Sequence, residues 1–345
     1  MHGIAIIIVT WNSEACIARC LDSVFECHPQ SDLQVIVVDN GSRDATVDTI
    51  QQYAPRVRAI PLGANTGFPK ACNFGASLAQ CSHLLFLNPD ACLVNDVPAM
   101  LVRFLEAHPD AGAAGPAIRD HHGAPAPFAA RHFPRLRFHL LRHFGLRALA
   151  PHTPFFSGET FGDKGLTQPL AVPCLTGAAI CIPRTLFEQV GGFPEYLPMY
   201  HDDMGLCAAI THAGRRCYYI PEAHIEHLGG ESSSLSPARL QLRQLENGQA
   251  PWLFFRQERG PLFAALFTTI VFLASLFRLL LVFVLLPAAL LRAPLRPRFQ
   301  RVFRESLFLF LWSVSRKSRF ARRFDTCFDP LPPDSVLQRF RQAPP

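Results

Sequence analysis

Residues Ile4-Ala-Ile-Ile-Ile-Val-Thr10 form an unbroken apolar, mostly β-branched run that ends on a hydroxyl. A half-exposed strand alternates polar with apolar residues, whereas an unbroken short run is a strand covered on both faces. Strands of that kind belong to parallel sheets, which need helices on each side and crossovers between neighbours. This one run points to an α/β architecture, and the chain beyond it keeps the pattern.

A helix is predicted over 14–25, with Asn12 or Ser13 as its cap. A second apolar run, Val35–Val38, ends at Asp39-Asn40-Gly41-Ser42, and Ser42 or Asp44 can cap a helix over 45–53. Strands follow at Val57–Pro61 and His83–Leu87, separated by a helix over 69–80 that carries Pro69 in its first turn. A helix over 97–108 and a strand at 111–115 complete the first half. Residues 117–170 are rich in Pro, His, Arg and Gly without a clean period, and read as a variable surface segment covering the site. Order returns with 172–183, helices over 184–190 and 203–213, and a strand at 217–220.

The fourth strand runs straight into Asn88-Pro89-Asp90. Open parallel sheets bind ligands at the carboxyl ends of their strands. In an extended chain residues two apart share a side, so Asn88 and Asp90 would face one ligand. A carboxylate beside a neutral oxygen suits a Mg²⁺ or Mn²⁺ ion holding a diphosphate; a capping turn after a buried strand is the alternative. Thr10-Trp11-Asn12, the Asp39 turn and Asn65-Thr66-Gly67-Phe68 also follow strands, so all four can converge on one crevice.

The 11 cysteines are scattered, form no C-x-x-C pair and mostly sit in apolar runs, which reads as buried free thiols in a reducing compartment. The start of the chain reads as a strand and not a leader peptide, so a cytoplasmic location is expected. Net charge is +6, and the basic residues are nearly all arginine. A dense set, including Arg292, Arg296, Arg298, Arg301, Arg304, Arg316, Arg319, Arg322 and Arg323, follows an apolar run over 262–291 whose one charge is Arg278. That neighbour favours an anionic membrane surface over nucleic acid. Residues 262–277 reach about 24 Å as a helix, short of a hydrocarbon core of about 30 Å. Arginines flank both ends, so a re-entrant hairpin or interfacial helix, a monotopic anchor, is expected in preference to a crossing; a buried core helix is the alternative.

Taken together, V-T-W-N, V-V-D-N-G-S, N-T-G-F with N-F-G, L-N-P-D, G-G-F-P-E with M-Y and D-D, and H-L-G-G-E-S-S make residues 3–255 resemble the family 2 glycosyltransferases. These are inverting enzymes with the GT-A fold, and bacterial rhamnosyltransferases of cell-surface polysaccharide synthesis are the branch most resembled. The resemblance implies a GT-A domain over 1–255 (1–116 the nucleotide-sugar half, 171–255 the acceptor half) and membrane-associating helices with a basic tail over 256–345. It implies a mostly parallel α/β sheet, a nucleotide-diphosphate sugar donor (dTDP-rhamnose by likeness), a lipid-linked or polysaccharide acceptor, Mg²⁺ or Mn²⁺, and the cytoplasmic face of a bacterial inner membrane.

Residue by residue, the resemblance puts Asp39 against the base, Thr10, Trp11 and Asn12 around the nucleotide, and Asn65, Gly67 and Asn73 near ribose and phosphate. Asn88 and Asp90 would meet the metal and diphosphate, with His227 completing that site and His224 its competitor. Asp203 would be the general base and Asp202 would orient base or acceptor, with Gly177 on an acceptor-side loop. Relatives often carry aspartate where Asn88 stands and an acid where Gly205 stands. A dinucleotide oxidoreductase is disfavoured because the first strand lacks a glycine-rich turn, and no G-K-[ST] of a P-loop occurs. A sugar-nucleotide nucleotidyltransferase and an inactive membrane scaffold of the same fold remain as rivals.

Overall fold

In a computed structural model, the described residues are 3–27, 33–120, 122–126, 128–149, 153, 156, 160–161, 167–197, 199–227, 245–291 and 296–314. The first half runs β1 (Ile4–Thr10), α1 (Ile17–Cys27), β2 (Leu33–Asp39), α2 (Thr46–Gln51), β3 (Val57–Pro61), α3 (Phe68–Ser77), β4 (His83–Leu87), β5 (Ala91–Leu93), α4 (Val97–Ala107) and β6 (Ala111–Arg119). The rest adds β7 (Ala130–Arg131), α5 (Leu136–His143), β8 (Leu170–Val172), β9 (Cys174–Leu175), β10 (Ala179–Pro183), α6 (Arg184–Gln189), α7 (Asp202–His212) and β11 (Arg216–His227). Three further helices follow: α8 (Ala250–Glu258), α9 (Pro261–Leu291) and α10 (Arg296–Val314).

One sheet organises the molecule, in the order β3-β2-β1-β4-β10-β6-β11-β5, with β8 on β11. Every residue of β1 and β4 is buried, as their unbroken apolar runs require. The sheet is mixed where a mostly parallel one was expected. β3, β2, β1 and β4 are parallel, but β10 enters antiparallel between β4 and β6. Register sets the strand ends level: Thr10 lies opposite Asp39, and Asp39 opposite Pro61.

The segment read as a variable surface loop is more structured than its composition suggests. It contributes β7, paired with β9, and α5, whose buried face carries Phe138, His139, Leu141 and His143. Burial pushes the His139 imidazole down to about 3, so it packs as a neutral ring against Phe255 and Phe267.

α9 is one uninterrupted helix, which removes the re-entrant hairpin expected within 262–291. Its stretch Pro261–Leu286 is long and apolar enough to cross a membrane. A stripe at helical spacing (Ala264, Phe267, Val271, Ala274) is buried, and its first three residues share one cluster with Leu309 and Trp312 of α10. Leu280, Phe283 and Val284 are exposed, Phe283 by 76%. A helix with so exposed an apolar face is consistent with membrane association. The tail arginines from Arg316 on, the Arg292 position and the run after His227 lie outside the described residues.

Candidate functional site

The ends of β1, β2 and β3 are stitched to one another by their own polar residues. Asp39 Oδ1 accepts from the Thr10 hydroxyl at 3.0 Å, and its Oδ2 accepts from the Ser42 backbone N–H at 3.0 Å. The Ser42 hydroxyl adds a third donor. A carboxylate offers about four acceptor positions, which leaves capacity for one more partner. Asn12 adopts a left-handed φ of 52° and its Oδ1 accepts from the Arg43 N–H at 2.8 Å. Trp11 is 52% exposed beside it, so it is not core.

Asn40, which the sequence reading left without a role, joins the second tip to the third. Its amide donates to Asn65 Oδ1 at 3.0 Å and accepts from the Thr66 N–H at 2.8 Å. Asn65 Oδ1 also accepts from the Gly67 N–H at 3.0 Å. The two strand tips touch so closely that a Cβ on Gly41, at φ +81°, would lie 2.7 Å from the Ala64 carbonyl carbon. Asn73 faces elsewhere than expected. Its amide clamps the Phe193 backbone, donating at 2.9 Å and accepting at 2.8 Å. Phe193 in turn packs edge-on against Phe86 of β4.

At the fourth tip the backbone does not stay extended. The Ala91 N–H donates to the Asn88 carbonyl at 3.1 Å, closing a turn. Asn88 and Asp90 nonetheless converge, because β11 delivers a histidine between them. His227 pairs with Ala91 across β5. Its Nε2 stands 3.1 Å from Asp90 Oδ1 and 3.5 Å from Asn88 Nδ2. His224, three residues earlier on the strand, pairs with Ala117 of β6 instead, and burial pushes its pKa down.

Two consecutive left-handed residues, Tyr200 (φ 62°) and His201 (φ 61°), lead into α7. Non-glycine residues in that region store strain and cluster at functional sites. They deliver Asp202 and Asp203 into the first turn, both buried. Asp203 Oδ2 accepts from the Gly177 N–H at 2.9 Å and pairs with the Arg131 guanidinium, while its Oδ1 accepts from the Met204 N–H at 2.8 Å. Burial, then the Asp203 charge, pushes the Asp202 carboxyl up to about 7. Gly205 cannot be exchanged for the acid of the resembled family in this packing, since a Cβ there would lie 2.5 Å from the Pro194 ring.

Asn88, His227, Gly177, Asp202 and Asp203 line one cavity of about 330 Å³. Arg131, Arg142 and Glu246 complete its charged lining. Thr10, Asp39 and Asn65 are buried outside that lining. Sequence reasoning missed all three added residues: Arg131 and Arg142 stand in the segment without a period, and Glu246 on a π-helical turn, Leu245–Gln249, before α8. For the two arginines the one signal was charge inside a segment read as surface.

Among the described residues no group of three His, Cys, Asp or Glu side chains could hold a metal ion alone. The Asp90 carboxylate and the His227 imidazole, with the side-chain oxygen of Asn88, are the donor types that would suit a divalent ion completing its coordination with phosphate oxygens, the usual habit of Mg²⁺ at nucleotide sites. Among the described residues the buried His227 Nδ1 has no hydrogen-bond partner, which leaves that ring's Nε2 facing Asp90 and Asn88.

A family profile described as "Glycosyl transferase family 2" matches residues 5–164. An N-acetylglucosaminyl-diphospho-decaprenol L-rhamnosyltransferase of Mycobacterium tuberculosis is 31% identical over 251 residues, spanning 68% of this chain and 78% of that protein. Among solved structures, a mannosyltransferase from Pyrobaculum calidifontis, in complex with GDP-Man and Mn²⁺, is similar at TM-score 0.51 and 18% identity, over 91% of this chain and 88% of that one. The structure of GalNAc-T7 with UDP, GalNAc and Mn²⁺ is similar at TM-score 0.50 and 16% identity, over 70% of this chain and 48% of that one. The structural likenesses show the fold, a GT-A-like Rossmann arrangement with a mixed sheet flanked by helices.

Proposed function

Because this chain belongs to glycosyl transferase family 2, we propose that it transfers a sugar, with inversion, from a nucleotide-diphosphate donor to a lipid-linked or polysaccharide acceptor. The donor is dTDP-rhamnose in this reading, supported by the 31% identity to an enzyme named as an L-rhamnosyltransferase. The exposed apolar face of α9 supports work at a membrane surface, which we assign to the cytoplasmic face of a bacterial inner membrane. The GT-A domain is assigned to 1–255 and the membrane-associating helices to 256–345.

The observation that carries the reading is the shared cavity: the Asn88–His227 end and the Asp202–Asp203 pair line the same space. An inverting transfer is one in-line displacement, and it needs a base for the acceptor hydroxyl and stabilisation of the departing diphosphate. Asp203 takes the proton from the acceptor hydroxyl. The Gly177 N–H and Arg131 hold its carboxylate in place. Asp202, with its carboxyl near 7, orients the acceptor and tunes its neighbour. Asp90 and His227, with Asn88, would hold Mg²⁺ or Mn²⁺, which when bound supplies Lewis-acid neutralisation of the diphosphate. Asp39 would take the imide N–H of the pyrimidine in its remaining acceptor position.

A donor screen that reads nucleoside-diphosphate release, with and without Mg²⁺ or Mn²⁺, tests this. Asp203→Asn is expected to lose turnover by about 10²-fold or more while nucleotide binding persists. Unchanged turnover refutes the base. Pyrophosphate released from a nucleoside triphosphate would favour the nucleotidyltransferase instead.

A further inference from the structure

The cavity has a wall that the transfer chemistry does not use. Arg142, in the last turn of α5, and Glu246 both line it and face each other, with nitrogen and oxygen 3.5 Å apart. Their side chains are 41% and 40% exposed. A long, half-exposed pair of this kind is weakly held and readily exchanged.

Both halves of the pair are fastened from behind to the membrane-associating helices. Arg278, the one charge in the apolar run of α9, donates to the Arg142 backbone carbonyl at 3.1 Å. A cation there suits the negative end of α5. Phe277 beside it packs on Phe144. On the other side, Trp312 of α10 donates to Gln249, at the end of the turn that carries Glu246, at 2.9 Å. The Arg142 wall is therefore the one that rests on the lipid-facing helices. A lone arginine in an apolar helix is costly in hydrocarbon unless it has a fixed partner, and here the partner is the backbone that positions Arg142.

We propose that Arg142 is the binding site for the diphosphate of a membrane-borne, lipid-linked acceptor, which displaces the Glu246 carboxylate when it enters. This rests on the transferase reading above and names the acceptor class for it. A guanidinium binds phosphate oxygens in a bidentate fork and prefers a multiply charged diphosphate over one carboxylate. The acceptor's lipid would lie along α9, its diphosphate on Arg142 and its sugar hydroxyl toward Asp203. The donor's diphosphate belongs at the Asn88–His227 end of the same cavity, so the two anionic groups do not compete for one cation.

The test uses the full chain bound to phosphatidylcholine vesicles. Farnesyl diphosphate, inorganic diphosphate and a nucleoside diphosphate (dTDP or UDP) are titrated into wild type, Arg142→Gln and Glu246→Gln. Farnesyl diphosphate is expected to bind wild type at least about tenfold tighter than inorganic diphosphate, which separates a membrane-borne diphosphate from a free one. Arg142→Gln should weaken farnesyl diphosphate by at least about tenfold with nucleoside-diphosphate affinity within about twofold, and Glu246→Gln should tighten it several-fold. Farnesyl diphosphate affinity unchanged in Arg142→Gln overturns the site. If that variant binds neither ligand, Glu246→Gln decides, and unchanged affinity there overturns it. A wild-type chain that binds and releases no nucleoside diphosphate overturns the transferase reading and the site with it, a failure distinct from loss of the Arg142 effect alone.

Discussion

Arg131 holds its guanidinium against the carboxylate of Asp203, reaching across 72 residues of chain from a two-residue strand in a segment without sequence period. The same cation lowers the proton affinity of the adjoining Asp202. An acidic pair that would otherwise share a proton is kept ready to accept one from an acceptor.

Arg131→Gln should therefore shift the acid limb of the kcat/KM profile to higher pH, because the opposing charge is gone and the pair gains protons more readily. The profile of nucleoside-diphosphate release between pH 5 and 9 measures this. A limb that stays in place while only the plateau falls would assign Arg131 a purely structural role.

Asp202 carries a stability consequence of definite sign. Its folded pKa, about 7, stands above an unfolded value of about 3.9. Between those values the native state holds a proton that the unfolded chain has released, so stability declines as pH rises through that window and stays low above it. At about 1.36 kcal/mol per pKa unit the effect is at most about 4 kcal/mol. Asp202→Asn should raise the unfolding temperature at pH 8 and leave it nearly unchanged at pH 4, which thermal melts at the two values will read.

Asp90 is expected to govern the response to divalent ions. Chelation should abolish nucleoside-diphosphate release, and Mn²⁺ or Mg²⁺ should restore it. In Asp90→Ala the ion concentration for half-maximal rate should rise at least about tenfold, since one of few protein ligands is lost. Turnover indifferent to a chelator would remove the ion from the scheme.

The free surface of α9 should hold the protein on lipid. Phe283→Glu and Val284→Glu replace side chains that are 76% and 70% exposed, so the fold has little to lose. At mid-bilayer depth an introduced carboxylate costs about 2.5–3.5 kcal/mol, and the double variant should leave vesicles in a flotation assay while its melting temperature stays within about 2 °C. Retained flotation would mean that another surface makes the contact.

Much of the fold could be read directly from residue patterns. β3 and β4 fall on their expected spans, Val57–Pro61 and His83–Leu87, although only β4 is buried throughout and β3 is a partly exposed edge strand. α1 begins at Ile17, later than the Asn12 or Ser13 cap suggested. The left-handed Asn12 and its bond to the Arg43 backbone tie that stretch to the second tip. β11 extends to His227, well past the expected 217–220, because β6 and β5 pair with its later residues. No local pattern foretells a strand whose later residues are held by distant partners.

Asp90 and His227 illustrate the same division at the site. Each could be singled out by type and position, yet the turn at Asn88 and the register of β11 on β5 decide that they meet at 3.1 Å. Arg131, Arg142 and Glu246 had no such marker, since a charge in an aperiodic stretch reads as solvated until a wall forms around it.

By itself, the sequence determined the alternating strands and helices and the apolar helix, because these follow from local periodicity and burial. Tertiary structure alone decided the antiparallel insertion of β10, the ion pair on Asp203 and the Arg142 wall, because each depends on contacts between segments that carry no information about one another until the sheet is assembled.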